Sequence, residues 1–378
     1  MTMRNTVCLI AALLLIGVAW LLLAPVPIEP VAWQAEPFAG YGGVHAVNSR
    51  LTPLQLLPLQ GEVGPEHIAP GPDGKLYTAV ESGKILRMQP DGSQLEVFAE
   101  TGGRPLGFDF DAGGRMLVAD AMRGLLLIDA NRKVSVLLAA LAADDPILYA
   151  DSVLVAKSGK VYLTDASRRF GPLKWGGTFN ASVLDIIEHS NTGRVIEFDP
   201  VSRQSRVVMR DLGFANGLAL SQDQRSLFVS ETAEYRVWKV DVAANNISAK
   251  TSAKTPNPQA QILLANLPGY PDNLMRGNKG RIWLGLTKPR AAAVDKMAAT
   301  PWLRKVTLRL PRFLWPVPPA YGHVLAFDES GKVVADLQDP SGRFPETSGA
   351  LEFGNRLIIQ SLHAHAIGSL PDTAIPGF

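Results

Sequence analysis

Hydrophobic and polar positions along this chain fall into two regimes. Val7 to Ala24 reads VCLIAALLLIGVAWLLLA, an unbroken apolar run about as long as a helix needs to cross a bilayer core. From Leu51 onward the apolar residues come instead in short alternating runs, broken by Gly, Asp and Pro turns, which is the pattern of strands. One unit recurs: a small polar loop, an alternating strand, a turn, a second strand ending in an acid, and two further strands. Its middle strands are plainest in GKLYTAVESGKILRMQPDG from Gly74, GRMLVADAMRGLLLIDANR from Gly114, and GKVYLTDAS from Gly159 with GRVIEFDP from Gly193. They recur in RSLFVSETAEYRVWKVD from Arg225, in GRIWLGL from Gly280 with HVLAFDESGK from His323, and in NRLIIQSLHAHAIGSL from Asn355.

Six such units predict an all-β fold, a six-bladed β-propeller, with one N-terminal transmembrane helix. One four-stranded sheet cannot bury both faces alone, whereas a ring of them can. A pair of β-sandwiches does not call for six copies of one unit, and a β-helix would repeat at a shorter interval. The last unit runs out of chain after three strands. Leu51 to Gln60, LTPLQLLPLQ, is expected to supply its outer strand and close the ring.

The predicted organisation is a cytoplasmic segment over 1–6, a membrane helix over 7–24, a spacer over 25–50 and the propeller over 51–378. Arg4 and the amino terminus precede the apolar run, which favours a cytoplasmic N-terminus and a propeller on the non-cytoplasmic side, in a periplasm, lumen or exterior. The run ends LLLAPVPIEP rather than in an A-x-A-like site, so an uncleaved signal anchor is expected over a cleaved signal peptide. Pro25, Pro27 and Pro30 predict a stiff, extended spacer. The net charge of +2 leaves no electrostatic footprint for nucleic acid. The only cysteine, Cys8, lies in the apolar run. The rest of the chain therefore has no disulfide, thiol nucleophile or Cys-based metal site.

Counting eight residues back from the turn before each second strand gives Glu66, Leu106, Asp151, Asn216, Asp272 and Thr347. These positions are equivalent in the repeat. They precede the innermost strand of each blade, so they are expected to face the axis at one end. Four of the six carry a carboxylate or an amide. Oxygen donors of this kind suit a hard cation, and calcium best tolerates irregular oxygen coordination. Three acids crowded on one axis would also repel one another without one. The competing expectation is that they satisfy backbone groups around a water-filled channel. A second acidic set, Asp120, Asp165 and Glu231, ends the second strands and is expected to hold the next blade's turn.

Several stretches resemble one family: GRPLGFDFD from Gly103, ILYADSVLV from Ile147, VYLTDASRRFG from Val161, FANGLALS from Phe214, LPGYPDNL from Leu267 and TSGALEFGNRLIIQSLHAHAIGSL from Thr347. Over roughly Leu51 to Leu370 the chain resembles the strictosidine synthase-like proteins. They belong to the calcium-dependent six-bladed propellers, with gluconolactonase, regucalcin and the paraoxonase-type arylesterases. An anchored chain of this kind is similar to the adipocyte plasma membrane-associated branch. The resemblance places metal ligands on Glu66, Asn216 and Asp272. Where the family often has Asn in the third blade, this chain has Ala150, followed by Asp151. The glutamate with which strictosidine synthase joins an amine to an aldehyde falls near Ser348, close to Glu346. A Pictet–Spengler condensation is therefore the less expected activity.

The leading expectation is calcium-dependent hydrolysis of an ester or lactone, of apolar character, with Ca2+ polarising the carbonyl. Asp151 is the first candidate base or second-sphere group. His67, His363 and His365 are further candidates, the last two placed on one strand face by their spacing. No G-x-S-x-G elbow is present, which disfavours a serine hydrolase. The alternative is a non-catalytic binding protein with a structural cation. Pro289 to Pro319 interrupts blade five with a basic and aromatic stretch that suits a membrane surface or a lid. A shorter insertion carrying Arg168, Arg169, Phe170, Trp175 and Phe179 is expected at the same mouth.

Overall fold

The computed structural model describes residues 3–38 and 40–375. Residues 1–2 of the expected cytoplasmic segment, position 39 of the spacer and 376–378 of the propeller lie outside the described residues. The chain forms two compact units.

The larger unit is a six-bladed β-propeller built from six antiparallel four-stranded sheets, the third of which gains a short parallel fifth strand, Ile247–Ser248. The innermost strands are His67–Pro70, Pro105–Phe110, Ala150–Val155, Ala215–Leu220, Gly269–Arg276 and Thr347–Phe353. The first five blades run outward in chain order. The sixth takes its outermost strand, Gln55–Pro58, from the start of the propeller, paired antiparallel with Ala366–Pro371. This closure covers the edge of Ala366–Pro371 and joins the start of the propeller to its last blade, so that only short edges remain. Leu59, directly after the closing strand, is fully buried among Ile68 and Leu76 of blade one and Ile358 and Ile367 of blade six.

The cores lie between successive blades. One cluster joins Phe108, Val118 and Leu126 of blade two to Tyr77, Ala79 and Ile85 of blade one. Another joins Val195 and Met209 of blade three to Leu227, Val229 and Trp238 of blade four. Each sheet therefore buries both faces, as the near-continuous apolar character of the second strands (MLVAD, VYLTD, SLFVSE) requires. Close to the axis the strands approach too tightly for side chains. A Cβ on Gly217 would stand 2.3 Å from the backbone nitrogen of Leu274.

The second acidic set is structural, but it holds its own blade's turn rather than the next blade's. Asp120 accepts from the backbone N–H groups of Arg104 and Met122. Asp165 accepts from those of Leu148 and Tyr149 and pairs with Arg194 at 3.0 Å. Glu231 accepts from Gly213 N–H, the Arg236 guanidinium and the Trp238 indole. Each acid thus fixes the chain entering its own inner strand.

The smaller unit comprises residues up to Glu36, 187–190 and 291–317. Its helix Met3–Leu23 is apolar, exposed, and long enough to cross a membrane. The insertion folds as two helices, Ala292–Lys296 and Pro301–Arg309, and a short turn, Arg312–Leu314. Arg309 donates to the carbonyls of Leu21 and Ala24 at 2.8 and 2.6 Å, capping carbonyls that a helix end leaves unpaired. Arg304 is fully buried and donates to the carbonyls of Val31 and Ile187. Trp33 lies under its guanidinium and stacks on His189, with ring centroids 3.9 Å apart. Residues 25–36 of the spacer, expected to be stiff and extended, pack within this unit. Ile28 is completely buried, and the buried Arg304 draws Val31 into the unit through its carbonyl.

Replacing Leu59 by Ala should remove apolar contacts that seal the first blade to the last. Its cost is expected at about 2–5 kcal/mol. A fall in the denaturant midpoint with an unchanged slope would report it; an unaltered midpoint would mean that the closure does not hold the ring.

Candidate functional site

Glu66, Asp151, Asn216 and Asp272 all line one cavity of about 450 Å³. The inner strands aim them by a shared device. In blades two to six the pairing with the second strand slips by one residue at this level. The slips fall between Pro105 and Phe108, Ala150 and Val153, Ala215 and Leu218, Pro271 and Leu274, and Thr347 and Gly349. Such a bulge re-aims a side chain out of the regular alternation. The repeat positions therefore lie mostly within the inner strands, at their bulges, rather than before them. Phe214, beside Asn216 and also lining the cavity, has φ 59°, an uncommon conformation for a bulky residue.

Neighbouring blades hold these positions in register. The carbonyl of Glu66 accepts from Asn273 Nδ2 of blade five at 2.9 Å and from Ser348 Oγ of blade six at 2.8 Å. Ser230 and Thr232 of blade four donate to the carbonyls of Asp272 and Pro271. Ser348, where the condensing glutamate of strictosidine synthase was expected to fall, is fully buried and committed to this bond.

The three carboxyl groups are buried. Burial, and then the charges of Glu66 and Asp272, push Asp151 well above the ordinary range. Burial and Glu66 do the same to Asp272, against hydrogen bonds from the Asn273 backbone and the Asn216 amide. Glu66 is raised by burial, while Arg104 pulls it back. Arg104 is a component that the repeat count missed. It lies two residues before Leu106, the apolar member of the ring, and its guanidinium reaches Glu66 Oε2 at 2.8 Å. Its signal was present in the GRPLG stretch, but only the assembled ring turns it onto a carboxylate from blade one.

Ionised together, three carboxylates against one guanidinium would leave two negative charges uncompensated, which is why burial holds Asp151 and Asp272 toward the neutral form. Asn216 Oδ1 and Asp272 Oδ1 are buried with no hydrogen-bond partner among the described residues. Orphaned acceptors beside buried acids are what a bound cation resolves. An all-oxygen donor set from carboxylates and an amide fits a hard divalent ion. The residues present therefore fit the expected group.

Of the histidines, only His363 lines the cavity. It accompanies His365 in the turn after Arg356–Ser361, not on a strand face as their spacing implied. The Ser361 hydroxyl holds that turn by accepting from the backbone of His363 and Ala364. His363 Nδ1 is bonded to Glu346 Oε2, and Lys288 Nζ pairs with Oε1 of the same carboxylate. The glutamate bond raises His363. Burial would raise Glu346, but His363 and Lys288 outweigh it and hold the carboxyl at about 2. His67 is buried against Phe108 with its pKa lowered to about 4 by desolvation, and it does not line the cavity. From the blade-three insertion Phe179 does, edge-on to the His363 ring at 5.7 Å. Arg168, Arg169, Phe170 and Trp175 do not, and Phe170 is fully buried. The helix Thr178–Glu188 in that insertion was not legible as a helix among the surrounding strands.

Residues 151–244 match the model of the strictosidine synthase family, and residues 43–88 match that of the strictosidine synthase-like N-terminal region. Protein STRICTOSIDINE SYNTHASE-LIKE 6 of Arabidopsis thaliana is 31% identical over 310 residues, 80% of this chain and 78% of the relative. The chain belongs to the strictosidine synthase-like family. Adipocyte plasma membrane-associated protein of Salmo salar is 30% identical over 359 residues, 89% of this chain and 80% of that protein. Among solved structures, a gluconolactonase of Xanthomonas campestris aligns with a TM-score of 0.60 at 18% identity, covering 93% of this chain and 99% of its own. A calcium-binding protein, regucalcin, of Agrobacterium tumefaciens aligns at 0.57 with 14% identity, covering 89% and 95%. At such identities the structural likeness establishes the propeller fold this family member shares with them.

The axial carboxyls give the family member a predictable pH response. An acid whose folded pKa is raised favours the folded state below its unfolded pKa and loses that contribution as pH rises through the folded value. Without divalent ions, the contribution of Asp151 and Asp272 should fall as pH climbs above the ordinary aspartate range near 3.8. Added calcium should restore it. Thermal unfolding of the wild type and Asp272→Asn, with chelator and with calcium across this range, measures the difference. Equal pH slopes in both proteins would refute it.

Proposed function

We propose that the axial cavity hydrolyses an ester or lactone with the help of a divalent cation, calcium first. The observation that carries this reading is the convergence, in one cavity, of three buried acids, two orphaned oxygens and His363, whose ring is bonded to Glu346. Glu66, Asn216 and Asp272 would hold the ion, with Asp151 beside them. When bound, the cation supplies electrophilic polarisation of the substrate carbonyl.

The chain's own groups supply the rest. Glu346 holds Nδ1 of His363, leaving Nε2 to accept a proton from water as that water adds to the carbonyl carbon. The proton then passes to the leaving oxygen as the carbon–oxygen bond breaks. Lys288 keeps Glu346 ionised, so the glutamate stays an acceptor for the imidazole. Phe179, Phe214 and Tyr149 form apolar walls of the cavity, which suits an apolar acyl or aryl substrate. A Pictet–Spengler condensation has no support here: the position of its glutamate carries a buried serine hydroxyl. The gluconolactonase likeness is compatible with the hydrolase reading without identifying the substrate.

Hydrolysis of aryl esters and lactones should require calcium and be lost with chelator and in Asp272→Ala. His363→Ala should lower kcat about 10²–10⁴-fold. As a base, His363 must be neutral. Activity should therefore rise with pH through a value above 6.5, raised by Glu346 and further by Glu81 and Glu66. Glu346→Gln should shift that limb toward lower pH. Turnover of no ester or lactone, with calcium still raising thermal stability, would favour the binding-protein reading with a structural cation.

The helix Met3–Leu23 is proposed to anchor the chain with the propeller on the non-cytoplasmic side. The name of the adipocyte relatives accords with a membrane association. Beside that helix in its compact unit, Trp302, Phe313 and Leu314 are exposed, and Arg309 ties the insertion to the helix end. Aromatic and basic residues so placed suit the bilayer interface. With Cys8 replaced by Ser, a single fluorophore on Phe313→Cys in reconstituted vesicles should be quenched by lipids spin-labelled near the headgroup. A fully aqueous, unquenched signal would reject interfacial seating.

A further inference from the structure

Away from the axis, two imidazoles and a carboxylate converge on the outer strands of blade five. His323 lies on the strand Gly322–Phe327, Asp336 on its neighbour Val333–Asp339, and His45 in the turn Gly43–His45 that precedes the closing strand. Asp336 Oδ2 lies 2.7 Å from His45 Nδ1 and 2.9 Å from His323 Nε2. The three donor atoms are within 4.8 Å of one another, the one such trio of His, Cys, Asp or Glu side chains among the described residues.

The surroundings are organised around the carboxylate. Its other oxygen, Oδ1, accepts from Gln338 Nε2 at 2.5 Å and from Asn48 Nδ2 at 3.3 Å. The Tyr321 hydroxyl in turn donates to Gln338 Oε1 at 2.6 Å. Oδ2 is thereby turned toward the two rings. The rings of Tyr41 and Tyr321 flank His323 at 5.7 and 6.3 Å. His323 and Asp336 are almost fully buried, whereas the His45 side chain keeps 20% exposure, so the trio opens to solvent on one side.

We propose that His45, His323 and Asp336 form a binding site for a divalent transition ion of the zinc class. Two imidazole nitrogens and one carboxylate oxygen are a donor set that such borderline ions take and that calcium and magnesium do not prefer. Outer hydrogen bonds that orient a ligating carboxylate are the second requirement of a metal site, and Gln338, Asn48 and Tyr321 provide them. Three protein ligands leave a position for solvent on the His45 side. The ion ties residues 41–50 to blade five immediately before the closing strand. Its donors differ from those of the axial cavity, and it does not depend on the activity proposed there.

Full-length protein in detergent, stripped with chelator, would be titrated separately with Zn2+ and Co2+. Calorimetry, elemental analysis after desalting and visible absorption would be read together. One equivalent of zinc per chain and cobalt ligand-field bands of low coordination number are expected. His45→Ala should abolish both with an unchanged circular dichroism spectrum. Gln338→Ala should weaken zinc roughly 10–100-fold, and Asp272→Asn should leave zinc binding intact. Failure of the wild type to retain zinc, or undiminished zinc in His45→Ala, would overturn the site and leave a hydrogen-bonded His–Asp–His clamp. His45 is partly exposed, so its variant decides the matter even where His323→Gln fails to fold.

Discussion

Four residue pairs, from Gln55 with Ser369 to Pro58 with Ala366, join the start of the propeller to its end. The axial site depends on that closure. Glu66 enters the axis from blade one, yet its backbone is held by Asn273 of blade five and Ser348 of blade six. Blade one can lie beside blade six only when the ring is shut. Leu59 reinforces the same seam with apolar burial. A sheet ladder and a buried leucine thus set the position of a carboxylate that neither of them touches.

On that frame the electrostatics are set against folding. Three acids are withdrawn from water around a narrow axis and repel one another. Arg104 offsets part of the charge, and backbone bulges keep the oxygens converged. The remainder is uncompensated, which is a common state for a site whose work is to hold charge. The contrast with Asp120, Asp165 and Glu231 is instructive. Those acids are equally buried, but each accepts from backbone N–H groups at the start of an inner strand, Asp165 and Glu231 pair with arginines as well, and they serve the turns.

Polar groups at the periphery do comparable structural work with different chemistry. Segment 41–50 lies along blade five through His45, Asn48 and Arg50, all directed at Asp336. In the smaller unit, Arg304 and Arg309 gather carbonyls from the spacer, the insertion and the end of the apolar helix. In both places residues far apart in sequence are joined by one side chain whose several hydrogen-bonding atoms reach different segments.

Local pattern alone determined the apolar helix, the strands, their sixfold repetition and the equivalence of Glu66, Asp151, Asn216 and Asp272, because alternation and turn chemistry act over a few residues and repeat with the blade. The closing strand was legible for the same reason, as one strand missing from a periodic count. Tertiary structure alone decided which side chains meet. Arg104 reaches Glu66 across 38 positions, His363 meets Glu346 through a turn, and His45 meets Asp336 across 291. His363 and His365, placed on one strand face by their spacing, lie instead in a turn that the Ser361 hydroxyl holds in place. Charge pairing and burial depend on distances through space, and those exist only once the ring has closed.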